Sequence, residues 1–553
     1  MTFPKQNSTW IPRLLILIGL FCCLTLITPD TSMALVNQKI SGEMPAFGDV
    51  DPNSTVWEIS PDGQTVVYIA DQQFDGVMEL YSTPINGSSP PVKISSSADV
   101  INFEISSDSQ RVVYRTSSAS GQDIYSTPID QNANVQLNKQ PILSNGGDNL
   151  LSFKIGPDNS NVLFVADHEI TGVFELFSVP LTGGTVTKLS GTLVAEGDVN
   201  TFHISPDNAY VVYRADQDSD DVFEIYSVPL AGGAITKLNG PLATSPFPGS
   251  GGDVTYFEIS PNSARVVYRA DQETDDVFEL YSVPIGGGVA SNLNGALVTD
   301  GDVSDSLSFK ISPDSARVIY KADQETDEVI ELFSVPIGGG TATKLNGELV
   351  PNPLFTGADV FTYSISPDSA RVVYHTVEQP SFENELYSVP INGGTVAKLN
   401  GTLVTGGDVI YDFHISPDGS RVVYRADQEV DEVLELYSVP IAGGAATKLN
   451  EALVMNGDVS SSVLQITPDS ANVIYRADQE TDEVLELYSV PITGGPTTKL
   501  SGTLVADGDV GYLFRVTPDS TRVVYVADQE TDEVHELFVS NISFKVYLPM
   551  VVK

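Results

Sequence analysis

Apolar positions along this chain fall in short alternating runs broken by turn-forming residues, and helical spacing is absent throughout. The stretch from Ile311 to Val350 shows one full unit. A Ser-Pro-Asp turn leads into Arg-Val-Ile-Tyr, an acidic loop follows, and a second run ends in Ser-Val-Pro-Ile and three glycines. Variants of this unit recur along the chain. The middle residue of the turn is Pro61, Ser107, Pro157, Pro206, Pro261, Pro313, Pro367, Pro417, Pro468 and Pro518, giving ten units spaced 46 to 55 residues apart. A fixed period of this length marks a repeat architecture.

Each unit divides into four predicted strands. Strand a is the run before the turn, as in Tyr256-Phe257-Glu258-Ile259, and the Pro and Asp of the turn suit a tight reversal. Strand b is Arg265-Val266-Val267-Tyr268-Arg269. The acidic loop Asp271 to Asp276 leads to strand c, Phe278 to Val283, and Pro284-Ile285 with three glycines reverses the chain again. Strand d is weaker, as in Thr343-Lys344-Leu345-Asn346 of the following unit. One such sheet cannot bury both faces, so neighbouring units must stack, and the radial solution is an all-β propeller of about ten four-stranded antiparallel blades. No linker or second closure is visible between units, which favours one large ring over two smaller propellers. The N-terminal Gln38-Lys39-Ile40-Ser41-Gly42 matches strand d and is expected to complete the last blade. A strand from Phe544 to Leu548 is the rival closure.

The ends of the chain are expected to lie outside the ring. Residues 1–34 read as a signal peptide: Lys5 and Arg13 precede the apolar run Leu14 to Ile27, and Ser32-Met33-Ala34 offers small residues for cleavage. An uncleaved anchor is the other reading. Residues 35–543 form the propeller, and 544–553 form a hydrophobic tail or terminal strand. Cys22 and Cys23 both lie in the leader, so the mature chain is expected to hold no cysteine. The destination is secreted, extracellular or periplasmic, with no membrane span after cleavage.

The formal net charge is -45. Losing Lys5 and Arg13 against Asp30 makes it -46 in the mature chain. That balance excludes nucleic acid and anionic membrane surfaces as partners, because phosphates need a basic footprint. The segment Ile415-Ser416-Pro417-Asp418-Gly419-Ser420-Arg421-Val422-Val423-Tyr424, with Glu435-Leu436-Tyr437 and Gly443-Gly444 after it, resembles the WD40-like (PD40-type) repeat of TolB-type propellers. The resemblance covers residues 35 to 540 and implies the propeller fold. Members of that class carry an α/β partner domain or a peptidase domain, and neither is present here, so neither activity transfers.

Two acidic features are expected to share one face of the ring. An Asp precedes strand a in every unit, namely Asp49, Asp99, Asp148, Asp198, Asp253, Asp302, Asp359, Asp408, Asp458 and Asp509. The b–c loop carries alternate carboxylates in six units: Asp216, Asp218 and Asp220; Asp271, Glu273 and Asp275; Asp323, Glu325 and Asp327; Asp427, Glu429 and Asp431; Asp478, Glu480 and Asp482; and Asp528, Glu530 and Asp532. This spacing resembles the first half of a calcium loop, although the sixth position is Asp or Glu rather than Gly and no Glu falls at position twelve. The alternative is an acidic turn whose first Asp bonds its own loop backbone. Arg214 and Glu224, Arg269 and Glu279, Lys321 and Glu331, Arg425 and Glu435, and Arg476 and Glu486 stand ten residues apart and are expected to pair across the b–c hairpin.

The middle of strand a varies most: Glu58, Glu104, Lys154, His203, Glu258, Lys310, Ser364, His414, Gln465 and Arg515. A repeat that keeps its core and varies one inner polar position presents either a ligand surface in the channel or a tolerant wet wall. Nucleophile elbows, zinc-binding helices and phosphate loops are absent. The expected function is an exported, non-catalytic scaffold for an extracellular or envelope protein or a saccharide. A calcium-stabilised surface component and a channel-sited lyase or hydrolase acting on saccharides are the other two readings.

Overall fold

The computed structural model describes residues 37–542, apart from 46–47, 51–55, 97–98, 119–120, 139–148, 245–250, 305–308, 348, 350–358, 379–382 and 461–463. The expected leader, the C-terminal tail with its rival strand and Asp148 lie outside these residues. The described residues contain no helix. They form ten four-stranded antiparallel sheets arranged as a ring, a ten-bladed β-propeller. Blade 5 is representative, with strand a at Val254–Ile259, b at Arg265–Ala270, c at Glu279–Pro284 and d at Ser291–Asn292.

The closure runs as the sequence implied. Gln38–Lys39 pairs antiparallel with Glu536–Asn541, Gln38 opposite Val539 and Lys39 opposite Phe538, and supplies strand d of blade 10. Apolar clusters straddle each neighbouring pair of blades. Leu163 and Val165 of blade 3 pack with Phe202 and Tyr213 of blade 4, and Val524 and Val526 of blade 10 pack with Trp57 and Tyr68 of blade 1. The Val-Val-Tyr segment of strand b supplies most of this burial; Val266, Val267 and Tyr268 are all fully buried. Each such side chain contributes roughly 1.5–3 kcal/mol.

The expected Arg–Glu pairs across the b–c hairpin do not form. Strand b meets strand c one residue out of the assumed register: Ala215, not Arg214, lies opposite Glu224, and Ala270 lies opposite Glu279. A one-residue shift puts the two charges on opposite faces of the sheet. The basic residue instead staples its blade to the next. Arg214 Nη1 donates to Thr255 O (2.7 Å), Arg269 Nε to Val303 O (2.8 Å), Lys321 Nζ to Phe361 O (2.9 Å) and Arg476 Nη1 to Val510 O (2.7 Å).

The strand-c Glu finds its cation on strand d, except in blade 5, where Glu279 accepts from Asn292 Nδ2 (2.8 Å). Glu224 pairs with Lys237 (2.5 Å), Glu536 with Lys39 (2.5 Å), and Glu331, Glu435 and Glu486 with Lys344, Lys448 and Lys499. Its second oxygen accepts a bond from the tyrosine two residues on, as in Tyr226 to Glu224 (2.8 Å) and Tyr488 to Glu486 (2.7 Å). Blades 3, 6 and 10 carry Phe177, Phe333 and Phe538 at that position. In each, the Oε2 atom of Glu175, Glu331 or Glu536 is buried with no partner. The Phe333 ring stacks on Tyr320 (5.4 Å) much as Tyr281 stacks on Tyr268 (5.4 Å), so a hydroxyl fits the same geometry. Phe333→Tyr, Phe177→Tyr and Phe538→Tyr are each expected to stabilise the fold by about 1–2 kcal/mol. Denaturant unfolding would show this, and an unchanged midpoint would argue against it.

Candidate functional site

Strand a pairs with strand b on one edge only, and its other edge faces the centre of the ring. The ten slot residues occupy one register position. Glu58 lies opposite Val67, Glu104 opposite Val113, Lys154 opposite Leu163, His203 opposite Val212 and Glu258 opposite Val267. Lys310, Ser364, His414, Gln465 and Arg515 follow in the same register opposite Ile319, Val373, Val423, Ile474 and Val524.

The a–b ladder alternates, so every second residue of strand a turns its backbone groups away from strand b. Ser260 N–H donates to Arg265 O (2.9 Å), which leaves the groups of Phe257 and Ile259 facing the channel edge. Four slot side chains cap such groups on the following blade. Glu104 Oε2 accepts from Ile155 N–H (3.0 Å), and Glu258 Oε2 accepts from Ile311 N–H (3.4 Å). Lys310 Nζ donates to Tyr363 O (3.0 Å). Gln465 does both, donating to Phe514 O (2.9 Å) and accepting from Val516 N–H (3.0 Å). Several of the candidate ligand-binding residues therefore build the channel wall, a role that sequence spacing alone does not reveal.

The two histidines behave differently. Neither His203 nor His414 has a hydrogen-bond partner among the described residues, and His203 rests against Phe257 with ring centroids 4.8 Å apart. Burial pushes both imidazoles below the ordinary histidine range, so they are neutral at pH 7. Lys154 leans back toward Glu104 (3.7 Å) and Ser364 is short, so neither caps the blade ahead of it. The edge groups of Ile204 and Ile259, and of Ile415 and Ile466, accordingly carry no side-chain cap among the described residues.

Recesses open at these places. One of about 470 Å³ runs between Lys154, His203, Tyr256 and Glu258, in blades 3 to 5. The other, about 340 Å³, runs between His414, Leu464, Gln465 and Val516, in blades 8 to 10. In the first, Tyr256 Oη donates to Glu258 Oε1 (2.9 Å), and burial raises the Glu258 carboxyl. Burial likewise raises Glu58 and Glu104, against the pull of Arg515 and Lys154 on Glu58 and of Lys154 on Glu104. Arg515 lies over the Trp57 ring (5.5 Å).

Many of the acidic residues are occupied. The first Asp of each loop accepts two backbone bonds: Asp216 from Asp198 N–H (2.5 Å) and Asp221 N–H (3.3 Å), and Asp427 from Asp408 N–H (2.5 Å) and Glu432 N–H (3.0 Å). Asp271, Asp323, Asp478 and Asp528 repeat this. The second carboxylate meets the strand-d lysine in five loops, as in Asp218 with Lys237 (2.9 Å) and Glu325, Glu429, Glu480 and Glu530 with Lys344, Lys448, Lys499 and Lys39. The Asp before strand a accepts an N–H from the previous blade, as Asp253 does from Phe223 (2.7 Å). Among the described residues no group of three or more His, Cys, Asp or Glu is placed to hold a metal ion. The remaining members of the triples, Glu273, Asp220, Asp275, Asp327, Asp431, Asp482 and Asp532, stand exposed or half-exposed at the loop tips.

No protein-family profile and no curated protein matches the sequence. Solved structures similar to parts of it include a TolB from Agrobacterium tumefaciens, with 18% identity over 48% of this chain and 82% of that one and a TM-score of 0.27. A eukaryotic initiation factor aligns over 79% of this chain and 96% of its own, with 12% identity and a TM-score of 0.47. An oligogalacturonate lyase in complex with manganese aligns over 81% and 98%, with 14% identity and a TM-score of 0.33. What the chain is rests on its own ten blades: a closed ten-bladed β-propeller built on a repeat that resembles that of TolB-type propellers.

Proposed function

We propose that this protein is an exported, non-catalytic binding scaffold that holds its ligand in the channel recesses beside His203 and His414. One observation carries the reading. Glu104, Glu258, Lys310 and Gln465 each reach a backbone group of the next blade, whereas beside His203 and His414 a recess lined by uncapped strand edge remains. Uncapped backbone donors and acceptors beside Tyr256, Phe202 and two neutral imidazoles suit a ligand with its own alternating donors and acceptors. A segment of an extracellular or envelope protein has that chemistry, and a saccharide is the other class it accommodates.

The test copies the seal that Gln465 makes. His203→Gln and His414→Gln are expected to cap the following strand edge and lower the affinity for a selected ligand about tenfold or more, with stability unchanged. Ligands would be selected from a displayed library of linear peptides and from a saccharide panel, using the mature chain. If no ligand is selected, or if the double variant binds as tightly as the parent, the reading fails. The hydroxyl of Tyr256 on the raised carboxyl of Glu258 favours a second reading, a lyase or hydrolase acting on saccharides. Turnover of a panel saccharide that Glu258→Gln abolishes would decide for it. A melting temperature that rises with calcium and falls with chelator would place the exposed loop-tip carboxylates in a calcium-stabilised surface component instead.

A further inference from the structure

The repeat fails at several neighbouring positions in blade 10, and these failures meet around one recess. Blades 2, 4, 5, 6, 8 and 9 carry Arg or Lys at the fifth position of strand b, whereas blade 10 carries Val526, as blades 1 and 3 carry Ile69 and Val165. The residue before the strand-c Glu is apolar in blades 4, 5, 6, 8 and 9 (Phe223, Phe278, Ile330, Leu434, Leu485), whereas blade 10 has His535. Strand a of blade 10 holds one residue more than that of blade 5, running from Val510 to Val516, and its pairing shifts between Val510 and Phe514, a bulge that blade 8 shares between Val409 and Phe413. Within this bulge Gly511 has no side chain, and a Cβ there would lie 3.3 Å from Val526 O. Tyr512 is turned outward, 69% exposed. Bulges re-aim side chains in this way beside functional sites.

The result is a recess of about 340 Å³ between blades 9 and 10, separate from the channel recesses beside the two slot histidines. Leu485, Val510, Leu513 and Val526 give it an apolar floor. Its polar groups are Arg476, Asp509, Tyr512 and His535. The guanidinium of Arg476 lies 4.5 Å from the Tyr512 ring centroid, and its Nη atoms donate to Val510 O (2.7 Å) and Ser460 Oγ (3.1 Å). Its Nε is buried without a partner, although Arg115, Arg214 and Arg425 share that feature, so it does not by itself mark a site. The Nδ1 of His535 is also buried without a hydrogen bond, 3.6 Å from Asp49 Oδ1. Asp509 spends one oxygen on Leu485 N–H (2.7 Å).

We propose that this recess binds a small organic carboxylate with an apolar body, its carboxylate between Arg476 and His535 and its body on the valine and leucine floor under Tyr512. The acid is favoured over a neutral molecule because Arg476 supplies a fixed cation at the recess, while the two carboxylates nearby, Asp509 and Asp49, are each already held by a backbone N–H, from Leu485 (2.7 Å) and His535 (2.6 Å). The apolar floor and the aromatic flap exclude a bare inorganic anion, which would leave that surface unfilled.

The test uses the full mature chain with hexanoate and 3-phenylpropionate, against hexanol and 3-phenylpropanol as neutral counterparts, followed by calorimetry. The acids are expected to bind about tenfold more tightly than the alcohols. Tyr512→Ala, at an exposed position, is expected to weaken both classes. His535→Leu restores the residue that blades 8 and 9 carry, so it folds, and it is expected to remove the preference for acid over alcohol while sparing alcohol binding. Equal binding of acids and alcohols to the parent, undiminished preference in His535→Leu, or no binding of either class would each overturn the proposal. Ligand capture in the channel is read separately through His203→Gln and His414→Gln, which leave this recess intact.

Discussion

Replacing Lys39 by alanine is expected to destabilise the protein by about 3–5 kcal/mol at pH 7, the usual cost of stranding a buried charge. Lys39 sits on the strand that closes the ring, 2.5 Å from Glu536 and 3.1 Å from Glu530. Glu530 is more than half exposed and adds little. Glu536 is the important partner: its side chain is 4% exposed and its Oε2 atom already lacks a hydrogen bond, because Phe538 stands where other blades have tyrosine. Lys499 makes the same pair with Glu486, but Glu486 keeps the Tyr488 hydroxyl (2.7 Å). Lys499→Ala is therefore expected to cost only about half as much. Adding Phe538→Tyr to Lys39→Ala is expected to recover about 1–2 kcal/mol. Burial raises the Glu536 carboxyl, and the variant can relieve its stranded charge by taking up a proton, so the gap between the two lysines narrows at pH 5. Equal losses at Lys39 and Lys499 in denaturant unfolding would refute the account.

The same pairs show what could be read from the sequence. The strands, the turns, the ten-fold count and the closing strand were legible because each is a local pattern repeated many times, and repetition averages out the ambiguity of any one segment. The partners of the charged residues were not. Arg214 and Glu224 looked symmetric about their loop, yet the chain pairs Ala215 with Glu224, and a single residue of register decides which face each charge occupies. The lysine that neutralises Glu224 lies on strand d, thirteen residues further on, and only the stacking of c against d brings it close.

The candidate site was half legible. The slot was recognisable as the one polar, variable position in strand a, and the structure brings all ten residues to one register. Which of them seal the wall depends on side-chain length measured against the gap to the next blade, and on charges that draw a side chain the other way, as Glu104 draws Lys154, and no single repeat contains either. Gln465 reaches two backbone groups, while His414, at the same position one blade earlier, reaches none. The recess beside Tyr512 and His535 leaves its trace in the sequence only as departures from the consensus of the repeats. Gly511, Tyr512, Val526 and His535 are ordinary residues in isolation, and only their meeting in one blade makes them informative.

Stability is expected to rise as pH falls from 8 toward the mildly acidic range and to drop again below it. Two sets of carboxylates move in opposite directions. Burial raises the Asp before strand a in blades 4, 5, 6, 7, 9 and 10, outweighing the N–H bond each accepts. Burial also raises Glu58, Glu104, Glu258, Glu331 and Glu536. A carboxyl raised on folding binds protons more readily in the native state, so its contribution is complete below its unfolded value and is lost as pH climbs through the folded one. The turn aspartates Asp158, Asp207, Asp314, Asp368 and Asp418 are lowered, first by the neighbouring Ser hydroxyl and also by backbone N–H bonds. Their contribution is present above the ordinary Asp value of 3.8 and is lost as pH falls through the depressed one. The maximum therefore lies near the ordinary values of 3.8 for Asp and 4.5 for Glu. Repulsion within a chain of net charge -45 pushes the same way, and salt separates the two causes. Surface repulsion is screened at high ionic strength, whereas shifts that arise from burial persist. Calorimetric melting from pH 3 to 8 in low and high salt is expected to keep its acidic maximum in both. A maximum that vanishes in high salt would assign the effect to surface charge alone, and a melting temperature that climbs steadily to pH 8 would contradict both causes.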